Sequence, residues 1–166
     1  MISFAFAACL AVPAGPQLPG GAWSTWADVA PTERYDETGS SLAWCGDVND
    51  DGFPDFAVGS PKEDRGPGSG SRYDVGWVRV HSGRNGLVLR EWSGLANEDN
   101  LGAACARVPD VDGDGHDELL LGIPGYRFTG GITGRFVLVS PRTGFWMGFG
   151  SSPGVDDRFA TVLCGL

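Results

Sequence analysis

Apolar positions in this chain come in short bursts separated by Gly, Pro, Ser and Asp, and the bursts recur in one order at two places. Phe56-Ala57-Val58 and Leu119-Leu120-Leu121 are nearly continuous apolar runs that read as strands. Ahead of them, the small-residue stretches Gly39-Ser40-Ser41-Leu42-Ala43 and Gly102-Ala103-Ala104-Cys105-Ala106 read as a first strand of each unit. Alternating apolar positions over 76–81 and 134–140 predict a third strand. The turns Arg84-Asn85-Gly86 and Arg142-Thr143-Gly144 then lead to a fourth, over 87–92 and 145–149. Asn-Gly between apolar runs is a strong hairpin signal. No helical periodicity runs through the body of the chain, so the fold class predicted is all-β, in tandem four-stranded antiparallel units.

The repeat is about sixty residues long. Asp47 matches Asp110 at an offset of 63, whereas Trp77 matches Arg135 at an offset of 58, so the first unit holds five extra residues. They fit in 61–75, a stretch rich in Gly, Ser and charge that reads as a surface loop. Residues 36–95 form the first unit and 96–153 the second. A third begins at 154–166, where Phe159-Ala160 aligns with Leu101-Gly102. The chain stops just before a third acidic loop would start, which reads as a fragment or an early stop.

Between the first and second strands of each unit lies an acidic nonamer: Asp47-Val48-Asn49-Asp50-Asp51-Gly52-Phe53-Pro54-Asp55, then Asp110-Val111-Asp112-Gly113-Asp114-Gly115-His116-Asp117-Glu118. Oxygen-bearing side chains fall at positions 1, 3, 5 and 9, with Gly at position 6 to allow a sharp turn. Calcium takes six to eight oxygens in a flexible shell, and this spacing suits it. One ion is assigned to Asp47, Asn49, Asp51, the carbonyl of Phe53 and Asp55. A second is assigned to Asp110, Asp112, Asp114, the carbonyl of His116 and Glu118. An EF-hand would need Glu at position 12, where Val58 and Leu121 stand instead. Asn49 carries one charge fewer than Asp112, so the first site is expected to be the weaker.

Net charge is −9, and the two loops hold nine acids, four in the first and five in the second. The acidity is therefore local to the loops, and two calcium ions would cancel four of these charges. With no basic stripe, a nucleic-acid partner is not expected. Residues 1–14 are apolar and end in small residues, with Val12 and Ala14 placed as in a secretory cleavage site, although no Lys or Arg precedes the run. They are read as a signal peptide followed by a linker over 15–35, and the run is too short to span a bilayer. Cys9, Cys45, Cys105 and Cys164 lack the spacing of a zinc site, and the last three are expected to be buried free thiols.

Two histidines are present. Position 7 of the loop uses its carbonyl, so the His116 imidazole is expected to face solvent, and His81 is expected to be structural. Trp23, Trp26, Trp44, Trp77, Trp92 and Trp146 are read as packing between units rather than a carbohydrate platform. No nucleophile elbow, phosphate loop or dinucleotide fingerprint is present, and no catalytic or cofactor-binding residues are assigned beyond the metal ligands.

Together these features resemble the FG-GAP repeat of the integrin α-subunit head and of secreted bacterial repeat proteins. Leu101-Gly102 and Phe159-Ala160 stand near the "FG" position, and Thr38-Gly39 replaces it in the first unit. Val58-Gly59-Ser60-Pro61 and Leu121-Gly122-Ile123-Pro124 stand at the "GAP" position, with the acidic nonamers between. The resemblance covers residues 36–166 and implies an incomplete β-propeller in which each repeat supplies about one blade. It implies a calcium-binding module, secreted or on the cell surface, that serves adhesion or the binding of a protein or carbohydrate ligand. Further blades or self-association would be needed to cover its open sides. A propeller segment or accessory module of an extracellular polysaccharide lyase or hydrolase is a second reading, and the remnant of a truncated gene a third.

Overall fold

Residues 35–66, 72–128, 131–152, 154 and 160 are described by the computed structural model. The expected leader over 1–14 lies outside them, as do all of the linker but its last residue and Cys9 and Cys164.

Four strands follow the first small-residue stretch: β1 (Ser41–Gly46), β2 (Asp55–Ser60), β3 (Trp77–His81) and β4 (Val88–Ser93). They pair in chain order as an antiparallel meander. The second unit repeats the arrangement with β5 (Cys105–Val108) and β6 (Glu118–Ile123). A short ribbon, β7 (Arg127–Phe128) with β8 (Gly131–Ile132), interrupts it before β9 (Arg135–Val139) and β10 (Trp146–Ser151). Its sheet order is β10-β9-β6-β5, also antiparallel throughout. No helix occurs among the described residues. The tandem four-stranded antiparallel blades read from the sequence are therefore present, whereas the β7–β8 ribbon was not foreseen.

The apolar runs form the middle strands because these are covered on both faces. In β2 and β6 nearly every position is buried, and Leu119, Leu121, Val78, Val80, Val137 and Val139 lose all contact with solvent. Truncating one of the leucines to Ala would cost about 2–5 kcal/mol. The innermost strands β1 and β5 lie against each other, so the two sheets share one core. Trp92 joins them as well, its indole donating to the Gly144 carbonyl at 3.2 Å. Cys45 and Cys105 are buried free thiols in this core. Burial pushes the Cys105 thiol up to about 11 and the Cys45 thiol well above its usual range, so both stay protonated.

The glycines of the Gly-x-Pro signature mark where one unit meets the next. A Cβ on Gly59 would stand 2.2 Å from the Gly102 carbonyl oxygen, and one on Gly122 would stand 2.2 Å from that of Ala160. The approach of Gly59 to Gly102 is thus repeated by Gly122 with Ala160. Gly39, Gly102 and Ala160 occupy the same place in their units, with φ of 89°, 87° and 66°. Ala in that left-handed region costs roughly 1–2 kcal/mol, so the third copy keeps the backbone shape against its own preference.

Candidate metal centres

Each acidic nonamer connects the first two strands of its sheet, and its shape comes from carboxylates folded back on the loop's own amides. Asp47 accepts from the amides of Asp51 at 3.0 Å and Gly52 at 2.7 Å. Asp110 accepts from Gly113, one position earlier than Asp51 in the first loop, at 2.7 Å, and from Gly115, the counterpart of Gly52, at 2.9 Å. Asn49 and Asp112 each accept from the amide two residues on, at 3.1 Å. Asp51 and Asp114 do likewise with Phe53 and His116, at 3.0 and 2.9 Å. These are Asx turns in series, a backbone habit of short polar side chains. Gly52 and Gly115 at position 6 have φ of 87° and 88°, the conformation for which glycine was expected there.

The ninth residue separates the two loops. Asp55 is fully buried, and both its oxygens are occupied: Oδ2 accepts from Val48 and Oδ1 from Gly83, each at 2.8 Å. Glu118 is also fully buried, and its Oε2 accepts from Val111 at 2.6 Å. Its Oε1 has no hydrogen-bond partner among the described residues. Pro141 stands where the first unit has Gly83, and proline has no N–H to offer. The chain therefore leaves one buried carboxylate oxygen unmet in the second loop, and fills the equivalent place in the first.

Burial raises the carboxyl of Glu118 above its usual range; the Val111 amide opposes this, and the charges of Asp112, Asp110 and Asp114 push it further. Burial raises Asp55 too, against the Gly83 and Val48 amides, with Asp51 and Asp47 adding repulsion. Among the described residues, Asp110, Asp112, Asp114 and Glu118 alone form a group of acidic, His or Cys ligand atoms lying within 4.8 Å of one another. In the first loop Asn49 instead donates its amide to Asp51 Oδ2 at 3.1 Å, closing the loop on itself.

A hard cation fits the second donor set well: Glu118, buried and with one oxygen unpartnered, and three exposed aspartates bring ligand oxygens within 4.8 Å of one another. Asp47, Asn49 and Asp51 are brought together by hydrogen bonds, with Asp55 buried behind them. Phe53 is 41% exposed, and the Arg84 guanidinium lies 5.8 Å from its ring centroid.

One expectation is overturned. The His116 imidazole does not face solvent; its side chain is only 16% exposed because it lies against the other loop. Its Nδ1 is 3.1 Å from the Asp47 carbonyl and its Nε2 is 2.7 Å from Arg142 Nη1. The expectation for position 7 concerned its backbone carbonyl only, and the side chain bridges the two loops instead. His81 is structural as expected: it is buried, its Nδ1 is 3.0 Å from the Gly86 carbonyl, and it stacks on Phe56 at 5.5 Å. The role of Pro141 was missed, and the pairing of Ser82-Gly83-Arg84 with Ser140-Pro141-Arg142 carried its signal.

Residues 38–74 match the family model of the FG-GAP repeat. The chain is also similar to integrin alpha-5 of Xenopus laevis, 28% identical over 114 residues, a match covering 64% of this chain and 10% of the integrin. Against integrin alpha-7 of Mus musculus it is 34% identical over 106 residues, covering 58% of this chain and 8% of the integrin. Integrin alpha-3 of Cricetulus griseus gives 32% over 92 residues, covering 51% and 8%. The match thus spans about a tenth or less of the length of these relatives. Residues 38–74 thus carry an FG-GAP repeat, the chain is integrin-like, and its two four-stranded antiparallel sheets with their acidic loops are blades of an incomplete β-propeller.

Proposed function

We propose that the chain is a calcium-binding module of a secreted or cell-surface propeller that serves adhesion or ligand binding, without catalysis of its own. Asp110, Asp112, Asp114, Glu118 and the His116 carbonyl hold one ion; Asp47, Asn49, Asp51, Asp55 and the Phe53 carbonyl hold another, more weakly. The observation that carries this reading is the buried Glu118, one carboxylate oxygen unpartnered, clustered with three aspartates. A buried oxygen without a partner is costly, and a cation is the group that would relieve it together with its neighbours' repulsion.

The units of the module are 36–95 and 96–153, with a third opening at 154–166. The Ala160 carbonyl against Gly122, which repeats the contact of Gly102 with Gly59, supports that division. Propellers close with about four to eight blades, so a ligand would meet this chain beside further blades or a second copy. A protein or carbohydrate is the class of ligand, and likeness to integrins favours protein. Among the described residues no helix is long and apolar enough to cross a membrane. The leader over 1–14 remains part of the proposal.

Isothermal titration of the whole chain with calcium tests the reading. Two binding events of unequal affinity are expected, the tighter one lost in Glu118→Gln. No heat at millimolar calcium, the range of extracellular modules, would end it.

A further inference from the structure

The two loops are wired together through side chains that neither needs for its own shape. The His116 Nδ1 faces a carbonyl, which can only accept, so Nδ1 carries the proton and donates to Asp47. Nε2 is then a lone-pair acceptor, and Arg142 Nη1 donates to it at 2.7 Å. The same Nη1 donates to Asp50 Oδ2 at 2.7 Å, so one guanidinium grips position 4 of the first loop and position 7 of the second. Arg142 is itself held from the first sheet, where Arg90 Nη2 donates to the Arg142 carbonyl at 2.6 Å and Trp92 to Gly144.

The bridge touches the metal shells at informative places. Asp47 is the first ligand position of one loop, and its carbonyl holds the imidazole; His116 is the residue whose carbonyl serves the other loop. Whatever fixes the backbone of residue 116 therefore fixes the imidazole, and through it the start of the first loop. The first unit has no equivalent among the described residues. There Phe53 takes the place of His116, and Arg84 lies over its ring without a charged or carbonyl partner across a unit boundary.

We propose that His116 is a positioning residue that couples the two cation sites, so that loading the second loop raises the affinity of the first. This rests on the calcium reading above. A site already shaped by its neighbour loses less freedom on binding, and the resulting coupling is reciprocal. With the second loop the tighter, it fills first, and the gain falls on the first.

Amide resonances of Gly52 and Gly115, one per loop, report the two sites separately when the whole 17.5 kDa chain is titrated with calcium chloride and followed by NMR. In His116→Ala, which keeps every backbone carbonyl, the Gly52 midpoint is expected to move about fivefold higher in calcium, with Gly115 unmoved. Glu118→Gln should give the same shift at Gly52 while silencing Gly115, and adding His116→Ala to it should shift Gly52 no further. Arg142→Met offers an independent route should His116→Ala fold poorly, and a smaller shift at Gly52 in the same direction is expected. Two loops that titrate independently in the unaltered chain, or an unchanged Gly52 midpoint in these variants, would overturn the coupling alone. If neither glycine responds to calcium, the calcium reading falls and the coupling with it.

Discussion

The first and second acidic loops follow one template and are finished differently. Positions 3 and 5 fold onto equivalent amides in both, and position 1 shares the amide of position 6. Yet Asp55 receives a second hydrogen bond from Gly83, whereas Pro141, without an N–H, stands at that place in the second unit and Glu118 Oε1 has no partner among the described residues. At position 4, Asp50 adopts φ of 59° where the second loop places Gly113 at 81°, so a left-handed residue is strained in one copy and free in the other. Asn49 ties itself to Asp51, whereas Asp112 adds a charge to the cluster. One template thus accommodates a loop whose buried carboxylate is satisfied by hydrogen bonds and a loop whose buried carboxylate is not. Repetition alone does not say which. The first loop is largely satisfied by its own hydrogen bonds, and the second keeps a buried carboxylate with one unpartnered oxygen, repelled by three aspartates.

That contrast breaks most sharply when calcium is added or removed. A ligand at 100 times its dissociation constant stabilises by about 2.7 kcal/mol. Most of that gain is expected in the second unit. Hydrogen exchange in chelator should therefore expose Leu119–Leu121 amides more than those of 56–58, and equal loosening of both sheets would count against the asymmetry.

Next in size are substitutions with opposite signs in the metal-free protein. Asp55→Asn leaves one acceptor oxygen for the two amides of Val48 and Gly83, and an unmet buried N–H costs about 1–3 kcal/mol. Glu118→Gln keeps the acceptor for Val111 and removes a buried charge that Asp112, Asp110 and Asp114 repel. It should stabilise by about 1 kcal/mol. Chemical denaturation in chelator measures both, and two losses of equal size would erase the distinction between the loops.

pH probes the same groups. Both carboxyls are raised above ordinary values of 3.8 for Asp55 and 4.5 for Glu118, so the folded state holds protons that the unfolded chain has released. The metal-free protein therefore loses stability through these groups as pH climbs from those ordinary values through the raised ones, and the loss persists above. Asp50 runs the other way, held low by its hydrogen bond from Arg142. Calcium should remove the loss, because it favours the charged form. The Asp50 contribution is present above 3.8 and is lost only as pH falls below that value, so a metal-free melting temperature that fails to fall as pH climbs through the window above would count against the two buried carboxyls.

Much of this was legible in the residues. The runs 56–58 and 119–121 became the middle strands because burial on both faces demands continuous apolar sequence, and the nonamers announced their turns through Asp and Gly at fixed places. The β7–β8 ribbon was not legible: two residues per strand leave no alternation to read. His116 was misread because the position rule speaks for its carbonyl and is silent on a ring that meets Asp47, 69 residues away, only once the sheets pack. Pro141 lay in plain view opposite Gly83. Its meaning required the third-strand turn to be seated beside the ninth loop residue, and that is a matter of tertiary register.

The finest test converts one loop's finish into the other's. Pro141→Ala supplies the missing N–H without adding bulk, since proline already carries a Cβ at that place. The reverse change is closed, because a Cβ on Gly83 would stand 1.8 Å from the Pro54 carbonyl oxygen. Glu118 Oε1 should then gain a donor, as Asp55 Oδ1 has from Gly83. A hydrogen bond of this kind is worth about 1 kcal/mol net, and the looser unfolded chain gives back about 0.4–1 kcal/mol, so overall stability should hardly change. Calcium affinity is the sensitive readout: an oxygen already satisfied has less to gain, and the second loop should bind about fivefold more weakly. The first loop's own affinity should stay as it was. If the second loop binds calcium as tightly with alanine as with proline, the orphaned oxygen is not what sets the two loops apart, and the extra charge of Asp112 would have to carry the difference.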